Sequence, residues 1–480
     1  MKRPLTLASS VAGAVVVALD GTALTVAQPT LRRDLHASLA EVQWASTGYL
    51  VAVAGLLVFA GRLGDRFGHR RTFAVGMLGF GAASAGIAVA PGVGWVIGLR
   101  VVQGAFGALL QPATLGMLRT SFPPDRLRTP IAVRTAAIGV AAATGPLVGG
   151  ALATEFGWRS VFLLNIAPTL VFGLLALASP DRTPVGTRAA ALGAKPTTAP
   201  ADTRGALDIP GALLLAAALA CLVHALVTLP EVGWSAVAAL LAGAVFVRHE
   251  LRAPDPLLPR EVIGSPSVGA ALGLLVTVSA ALNGALFTCV YLLQDGLGLT
   301  PLHSALLALP LAVCLVAAAP VSAVLLRRAG ARATVAGATA VLAAGLLVLA
   351  AASGEAAFGA GFALVGAGFG TVMVAATHVV VRQAPAESAG VAGGLQQTAM
   401  NVGPVLGVAA ATVLTVLGPA RSPLVVLGLA AVAALPVCRA LPGRWGPVPA
   451  GRAVTESDTP HTGHGGEWGP YARSLRDHEH

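Results

Sequence analysis

Long apolar runs alternate with short polar or Pro/Gly-rich breaks from Leu5 to Ala440. A membrane-spanning helix takes roughly 20 mostly apolar residues. On that measure the breaks predict helices near residues 5–29, 42–60, 72–90, 94–118, 130–153, 159–178, 206–228, 234–250, 266–293, 302–326, 334–352, 356–381, 389–417 and 422–440. The pattern therefore predicts an all-α membrane protein with 14 transmembrane helices. Two polar stretches depart from the alternation. Residues 181–205, rich in Pro, Thr, Ala and Arg, read as a cytoplasmic linker, and residues 442–480 read as a disordered cytoplasmic tail.

Composition removes the alternatives. The 480 residues are 55% hydrophobic with a mean hydropathy of +0.78, and only 11% are charged, against about 25% in soluble proteins. A water-soluble globule is excluded. The net charge of +10 would suit a nucleic-acid partner only if the basic residues shared one soluble face. They are scattered among short loops, so no nucleic acid is expected. Apolar sequence continues from Met1-Lys2-Arg3 to about Ala27, which reads as an uncleaved first span rather than a signal peptide.

Charge also orients the chain, because cytoplasmic loops carry the excess of Lys and Arg. With the N-terminus inside, 26 of the 31 basic residues fall on the inner side, four (Arg32, Arg33, Arg159, Arg421) lie outside, and Arg100 lies within a span. Trp44, Trp95, Trp158 and Trp234 each stand where an even-numbered helix enters from the outer interface, the preferred level for indoles. Both termini are expected in the cytoplasm, with the protein multi-pass in the cell membrane.

The chain also repeats itself. Phe106, Gly107 and Thr114 are answered by Phe369, Gly370 and Thr377, each 263 residues on. Gly145-Pro146-Leu147-Val148-Gly149 is answered by Gly403-Pro404-Val405-Leu406-Gly407, and Asp65 through Arg70 by a degraded echo at Arg327 through Arg332. Residues 1–180 and 262–441 thus form two six-helix halves flanking two inserted helices at 206–261. Repeated halves around a midplane site are the architecture of secondary transporters.

Four motifs carry a family resemblance. Leu19-Asp20-Gly21-Thr22-Ala23-Leu24-Thr25-Val26-Ala27-Gln28-Pro29 resembles a first-span signature that usually has Asn at Thr25 and an apolar residue at Gln28. Gly61-Arg62-Leu63-Gly64-Asp65-Arg66-Phe67-Gly68-His69-Arg70-Arg71 resembles a loop motif between spans two and three. Arg100-Val101-Val102-Gln103-Gly104-Ala105-Phe106-Gly107 with Pro112 resembles a fourth-span motif, and Gly139 through Gly145-Pro146-Leu147-Val148-Gly149-Gly150 an antiporter motif in span five. Together they resemble the major facilitator superfamily, in its fourteen-span drug:proton antiporter branch, over nearly all of residues 5–440. The resemblance implies a proton-coupled secondary transporter that exports hydrophobic drugs or antibiotics by alternating access. A dedicated exporter of one metabolite or endogenous antibiotic is the alternative, and a polytopic membrane enzyme or receptor a more remote one.

The resemblance implies roles for two of these motifs. Asp65 is expected to meet a helix N-terminus of the other half, as a latch formed with Gly61, Arg66, Gly68 and Arg70. Arg327 stands where the second half would need the matching Asp, so one latch is expected and not two. The competing reading is that this basic loop simply anchors the topology at the surface of anionic membrane lipid. In span five, Gly145, Pro146, Gly149 and Gly150 permit a bend and close helix approach, either as a moving hinge or as ordinary small-residue packing.

Asp20 is an acidic residue well inside a span, a costly placement that marks a candidate site. Arg100 is its natural partner by depth: about 9 Å below the outer end of span four, against about 13 Å for Asp20 in span one. Burial disfavours a charged carboxyl and a nearby guanidinium favours it. Movement of Arg100 relative to Asp20 would then load and release a proton, while a static ion pair is the competing reading. Asn283, Gln396 and Asn401 are candidate cavity-lining residues, or simply hydrogen-bond between helices. The absence of further membrane acids favours neutral or monovalent substrates.

No cofactor or metal is expected. Lys2 and Lys195 lie outside any phosphate-binding loop. Cys221, Cys289, Cys314 and Cys438 stand singly in apolar stretches, and His249-Glu250 lacks the second His of a metalloprotease helix. The tail's His461, His464, His478 and His480 read as solvated, and no enzyme activity is expected.

Overall fold

The computed structural model describes residues 3–123, 126–178, 209–227, 234–252, 265–383 and 389–443. Helix fills almost all of them: α1 Arg3–Asp34, α2 Leu39–Phe67, α3 His69–Ala88, α4 Val93–Ser121, α5 Arg128–Phe156, α6 Arg159–Ala178, α7 Ile209–Val227, α8 Trp234–Glu250, α9 Pro266–Tyr291, α10 Pro301–Leu307, α11 Leu309–Ala351, α12 Glu355–Gln383, α13 Ala389–Leu417 and α14 Ser422–Ala433. A π-turn, Leu292–Gly296, follows α9, and a 3₁₀ turn, Leu435–Ala440, follows α14. Among the described residues nine helices are long and apolar enough to cross a membrane, or ten with α2 counted, which bends by 53° around residue 58.

Helix occupies each of the fourteen expected stretches, with differences at the edges. α1 runs past the expected end at residue 29 to Asp34, because its last turns leave the apolar layer without losing their backbone bonds. The tenth stretch is interrupted at Ala308 into α10 and α11, and the eleventh follows from it through Gly330 alone, with no loop between. The expected linker at 181–205 and the tail at 442–480, apart from Pro442 and Gly443, lie outside the described residues.

The repeat is visible in the backbone. Gly68 joins α2 to α3 at φ 93° and Gly330 breaks α11 at φ 80°, a left-handed conformation that only glycine adopts without strain. The two are 262 residues apart, and so are His36 (φ 49°) and Gly298 (φ 68°), which follow α1 and α9. Packing repeats too. A Cβ on Gly149 would lie 2.5 Å from the Ala23 carbonyl oxygen of α1, and one on Gly407 would overlap the Ala280 carbonyl of α9. The α1–α5 and α9–α13 pairs therefore approach backbone to backbone, as small residues allow in membranes.

Each half encloses its own apolar core. Ala23, Leu24, Leu31, Trp158 and Phe162 cluster at one end of the first half, with Val16, Phe73, Met77, Phe80 and Leu110 beyond them. In the second half Leu274, Val278, Leu342, Leu346, Phe358, Phe362 and Val365 form the equivalent. α7 lays Leu219 and Val223 against Val51 and Ala54 of α2 and Val405 and Ala409 of α13, so the insert covers a junction between the halves. Large apolar side chains such as Leu163, Leu170 and Leu174 of α6 and Leu240 of α8 face outward, as a lipid-facing surface requires.

Candidate functional site

Asp20 is 1% exposed in the middle of α1, and Arg100 is 2% exposed in α4. Arg100 Nη1 donates to Asp20 Oδ2 at 2.6 Å. The same nitrogen donates to Gln103 Oε1 at 2.5 Å, and Nε donates to the Ala45 carbonyl of α2 at 3.0 Å. The guanidinium carbon lies 4.2 Å from the centre of the Tyr49 ring and 5.9 Å from that of Phe162, a cation–π setting. Asp20 Oδ1 accepts from Asn165 Nδ2 of α6 at 2.7 Å and from Gln103 Nε2 at 3.2 Å. Gln103 Nε2 also donates to Ser84 Oγ of α3 at 2.7 Å.

Side chains of α4 and α6 thus converge on the Asp20 carboxylate of α1, while the Ala45 carbonyl of α2 and Ser84 of α3 hold Arg100 and Gln103 in place. Arg100 and Gln103, three apart on α4, share a helix face, which lets one helix supply donors to both Asp20 oxygens. Desolvating two charges is costly, and a buried pair persists only when further hydrogen bonds satisfy it; here they do. Among the described residues Oδ2 is held by Arg100 alone. The Oδ2 contact is the direct ion-pair link between α1 and α4 at this carboxylate.

The other expected site residues spread along the bundle. Asp65 is exposed, and its carboxylate lies 3.2 Å from His69 Nε2 in its own half. Residues 384–388, just before α13, lie outside the description. Arg66 sits 5.6 Å over the Phe67 ring, and Arg70 Nη1 donates to the Ala176 carbonyl of α6 at 2.6 Å. A Cβ on Gly61 would lie 3.8 Å from Pro112. Burial pushes the His69 imidazole below its ordinary range, against the pull of Asp65.

In α5, Gly145 and Gly149 close on Thr22 and Ala23 of α1, while a Cβ on Gly150 would lie 2.9 Å from the Pro301 carbonyl of α10. Pro146 sits among them, inside the helix. The motif therefore presses against the first half on one side and the second half on the other. A cleft of about 290 Å³ adjoins it, lined by Ala143, Thr144 and Leu147 of α5 and Leu309, Ala312, Val313 and Val316 of α11. Asn283 is half-buried and donates to the Ser279 carbonyl on its own helix at 2.9 Å. Gln396 is half-buried in α13, and Asn401 is buried with an unpartnered Nδ2.

Sequence reasoning missed several residues. Asn165 joins Asp20, and Ser84 joins Gln103, only through tertiary packing, although a lone Asn in the apolar sixth span was a visible signal. It also missed a set of contacts between the halves at the end where α1 turns into α2. Arg32 Nη1 lies 3.1 Å from Asp295 Oδ2, Gln294 Nε2 donates to the Val26 carbonyl at 2.8 Å, and the Leu302 amide donates to Thr154 Oγ1 at 3.3 Å. At the same end Trp158, expected at the interface, is 2% exposed because Phe162 packs edge-on to it. Its indole N–H donates to Asp34 Oδ2 at 2.8 Å, and with the Arg159 guanidinium it holds that carboxyl below the usual range. The Ser38 amide and hydroxyl do the same for Glu41 through a capping box.

Known proteins place this architecture. Residues 11–408 and 272–463 match the Major Facilitator Superfamily. The chain is 38% identical over 422 residues to the tetracenomycin C resistance and export protein of Streptomyces glaucescens, covering 85% of this chain and 75% of that one. It is 36% identical over 317 residues to a probable actinorhodin transporter of Streptomyces coelicolor, covering 63% of this chain and 52% of that one. The fold is shared with the crystal structure of a D-xylose-proton symporter at a TM-score of 0.64 and 12% identity, over 91% of this chain and 98% of that one. The fold and the repeated halves define a multi-pass membrane transporter. The chain belongs to the Major Facilitator Superfamily.

Proposed function

We propose that this chain exports antibiotics or similar hydrophobic drugs across the cytoplasmic membrane in exchange for protons, with both termini in the cytoplasm. The observation that carries the reading is the buried Asp20 carboxylate, joined to Arg100 by a single contact on Oδ2. Proton binding at Oδ2 releases Arg100, loosens α1 from α4, and so couples protonation to the rearrangement of the first half. A membrane potential of 100 mV adds about 2.3 kcal/mol per charge moved, equivalent to more than tenfold accumulation per proton. The printed roles of the relatives, resistance and export, support the direction of transport.

Within this reading Gly145, Pro146, Gly149 and Gly150 form the hinge between the halves, and Asn283, Gln396 and Asn401 line the path. Gly61, Asp65, Arg66, Gly68 and Arg70 close the cytoplasmic side against the second half in the outward-facing state. The test is efflux from liposomes holding purified protein under an imposed pH gradient. Wild type pumps uphill and Asp20→Asn does not; uphill pumping by Asp20→Asn would reduce the pair to a static brace.

A second reading is favoured by one finding, the single named compound of the 38% identical relative: a dedicated exporter of one antibiotic. Resistance to one compound alone across a chemically varied panel selects it, and broad resistance selects the first.

A further inference from the structure

Gln43 of α2 is fully buried, yet neither Nε2 nor Oε1 of its amide has a hydrogen-bond partner. Gln28 of α1 donates to Ser46 Oγ at 2.8 Å, but its Oε1 is unpartnered. Gln294 of the π-turn donates to the Val26 carbonyl and leaves its own Oε1 unpartnered, as is the Tyr291 hydroxyl. These are five of the eleven buried unpartnered side-chain atoms among the described residues. Leaving a buried donor or acceptor unmet is costly, and five such atoms lie around one junction.

The junction follows from register and contact. Leu39, Gln43 and Ser46 lie four and three residues apart, on one face of α2. Ser46 binds Gln28 of α1, and Leu39 and Tyr291 both pack against a cluster of Phe287 of α9 with Val408 and Ala411 of α13. Tyr291 and Gln294 are three residues apart, and Gln294 reaches back to α1. The Phe287 and Tyr291 rings stand 5.0 Å apart, an aromatic wall beside the amides. The π-turn itself is a backbone irregularity of the kind common at functional sites.

We infer that Gln28, Gln43, Tyr291 and Gln294 form a recognition patch, between the halves, for neutral planar aromatic compounds with carbonyl or hydroxyl groups at their rim. Amides supply donors to carbonyls and acceptors to hydroxyls, and they carry no charge that would select an ion. The nearby charges, Arg32, Arg33 and Asp295, are engaged with one another. At Gln28 this chain also replaces the apolar residue usual in the first-span motif. This proposal rests on the export reading and specifies its cargo.

The test is equilibrium binding, without any gradient, to the full-length protein in lipid nanodiscs, read by quenching of tryptophan fluorescence. The probes are danthron, a neutral dihydroxyanthraquinone, and anthracene, which has the same ring plan and no polar groups. Gln43→Leu and Gln294→Leu are each expected to weaken danthron binding at least about fivefold, the loss of one or two hydrogen bonds, and to leave anthracene within about twofold. Gln43→Leu is also expected to melt no lower than wild type, since it removes unmet polar atoms. Equal weakening of both probes, no change in either, or no danthron binding by wild type would overturn the proposal, the unchanged case meaning that water alone fills the patch. Proton-driven efflux of ethidium and of danthron by the same wild-type preparation is measured separately. Absence of proton-driven efflux of both ethidium and danthron sinks the export reading, whereas intact efflux without danthron discrimination sinks only this one.

Discussion

Asn165 Nδ2 lies 2.7 Å from Asp20 Oδ1, on the carboxylate oxygen that Arg100 does not hold. The carboxylate is thereby gripped from two helices at once, by a neutral amide on α6 and a cation on α4. On the proposed coupling, a proton that displaced Arg100 from Oδ2 would leave the Asn165 bond in place, so Asp20 would keep its position while its charge changed. Asn165→Leu removes that anchor. Hydrogen bonds to charged groups contribute about 1.5–3 kcal/mol, so proton-driven efflux is expected to slow by roughly 10-fold or more, with drug binding at equilibrium unchanged. Initial efflux rates and binding isotherms on the same preparation check this.

Arg100 is not replaceable by lysine. Its Nε and Nη1 reach the Ala45 carbonyl, Gln103 and Asp20 at once, and its plane lies over Tyr49; an ammonium has neither the fork nor the flat face. Arg100→Lys is expected to fold with a lower melting temperature and to lose gradient-driven efflux. Arg100→Ala leaves Asp20 buried without its counter-charge, which costs about 3–5 kcal/mol, and is expected to reduce the yield of folded protein.

The Arg32–Asp295 pair holds the halves together at the α1–α2 end, with both side chains about a third exposed. Such pairs are worth at most about 1 kcal/mol, so Asp295→Asn should shift the balance between conformations by no more than about fivefold, towards separation at this end. The double reversal Arg32→Asp with Asp295→Arg should restore the balance. Distances between spin labels placed at the ends of α1 and α9 report it, and high salt should weaken the wild-type contact as well.

Close approach at Gly149 makes a size prediction. A methyl there meets the Ala23 carbonyl at 2.5 Å, and forced packing of this kind typically costs about 1–3 kcal/mol. Gly149→Val is expected to lower the melting temperature of the purified protein and to stop efflux. The repeat places Gly407 in the same relation to α9, so Gly407→Val should be as damaging.

At the same end of the bundle, Asp34 sets a pH dependence. Trp158 and Arg159 hold its carboxyl below the ordinary value, so its contribution to stability is complete above about pH 4, the unfolded value, and is lost as pH falls through the lower folded one. Asp34→Asn should therefore reduce the melting temperature at pH 7 and leave less of it to lose on acidification. Melting curves between neutral and acid pH for both proteins compare the two.

Asp20 and Arg100 were legible in the sequence because a charge in a long apolar run stands out and because counting residues from the span ends gives depth. Their partners were not. Gln103 lay in view three residues from Arg100, but Asn165 is 145 residues from Asp20 and only the packing of α6 against α1 joins them. Asp295, just beyond an expected span, meets Arg32 across 263 residues. Tail and linker were read from composition alone.

Local chemistry thus settled which stretches are helical and roughly how deep each charge lies, since the length of an apolar run is a property of neighbouring residues and a bilayer forces every backbone group in it into helix. The repeat, too, was written in the chain, as glycines at matching distances. Which side chains meet was decided only in three dimensions. A hydrogen bond depends on the rotation of each helix about its axis and on where two helices cross, and those angles come from how glycines, prolines and bulky residues of the whole bundle pack together.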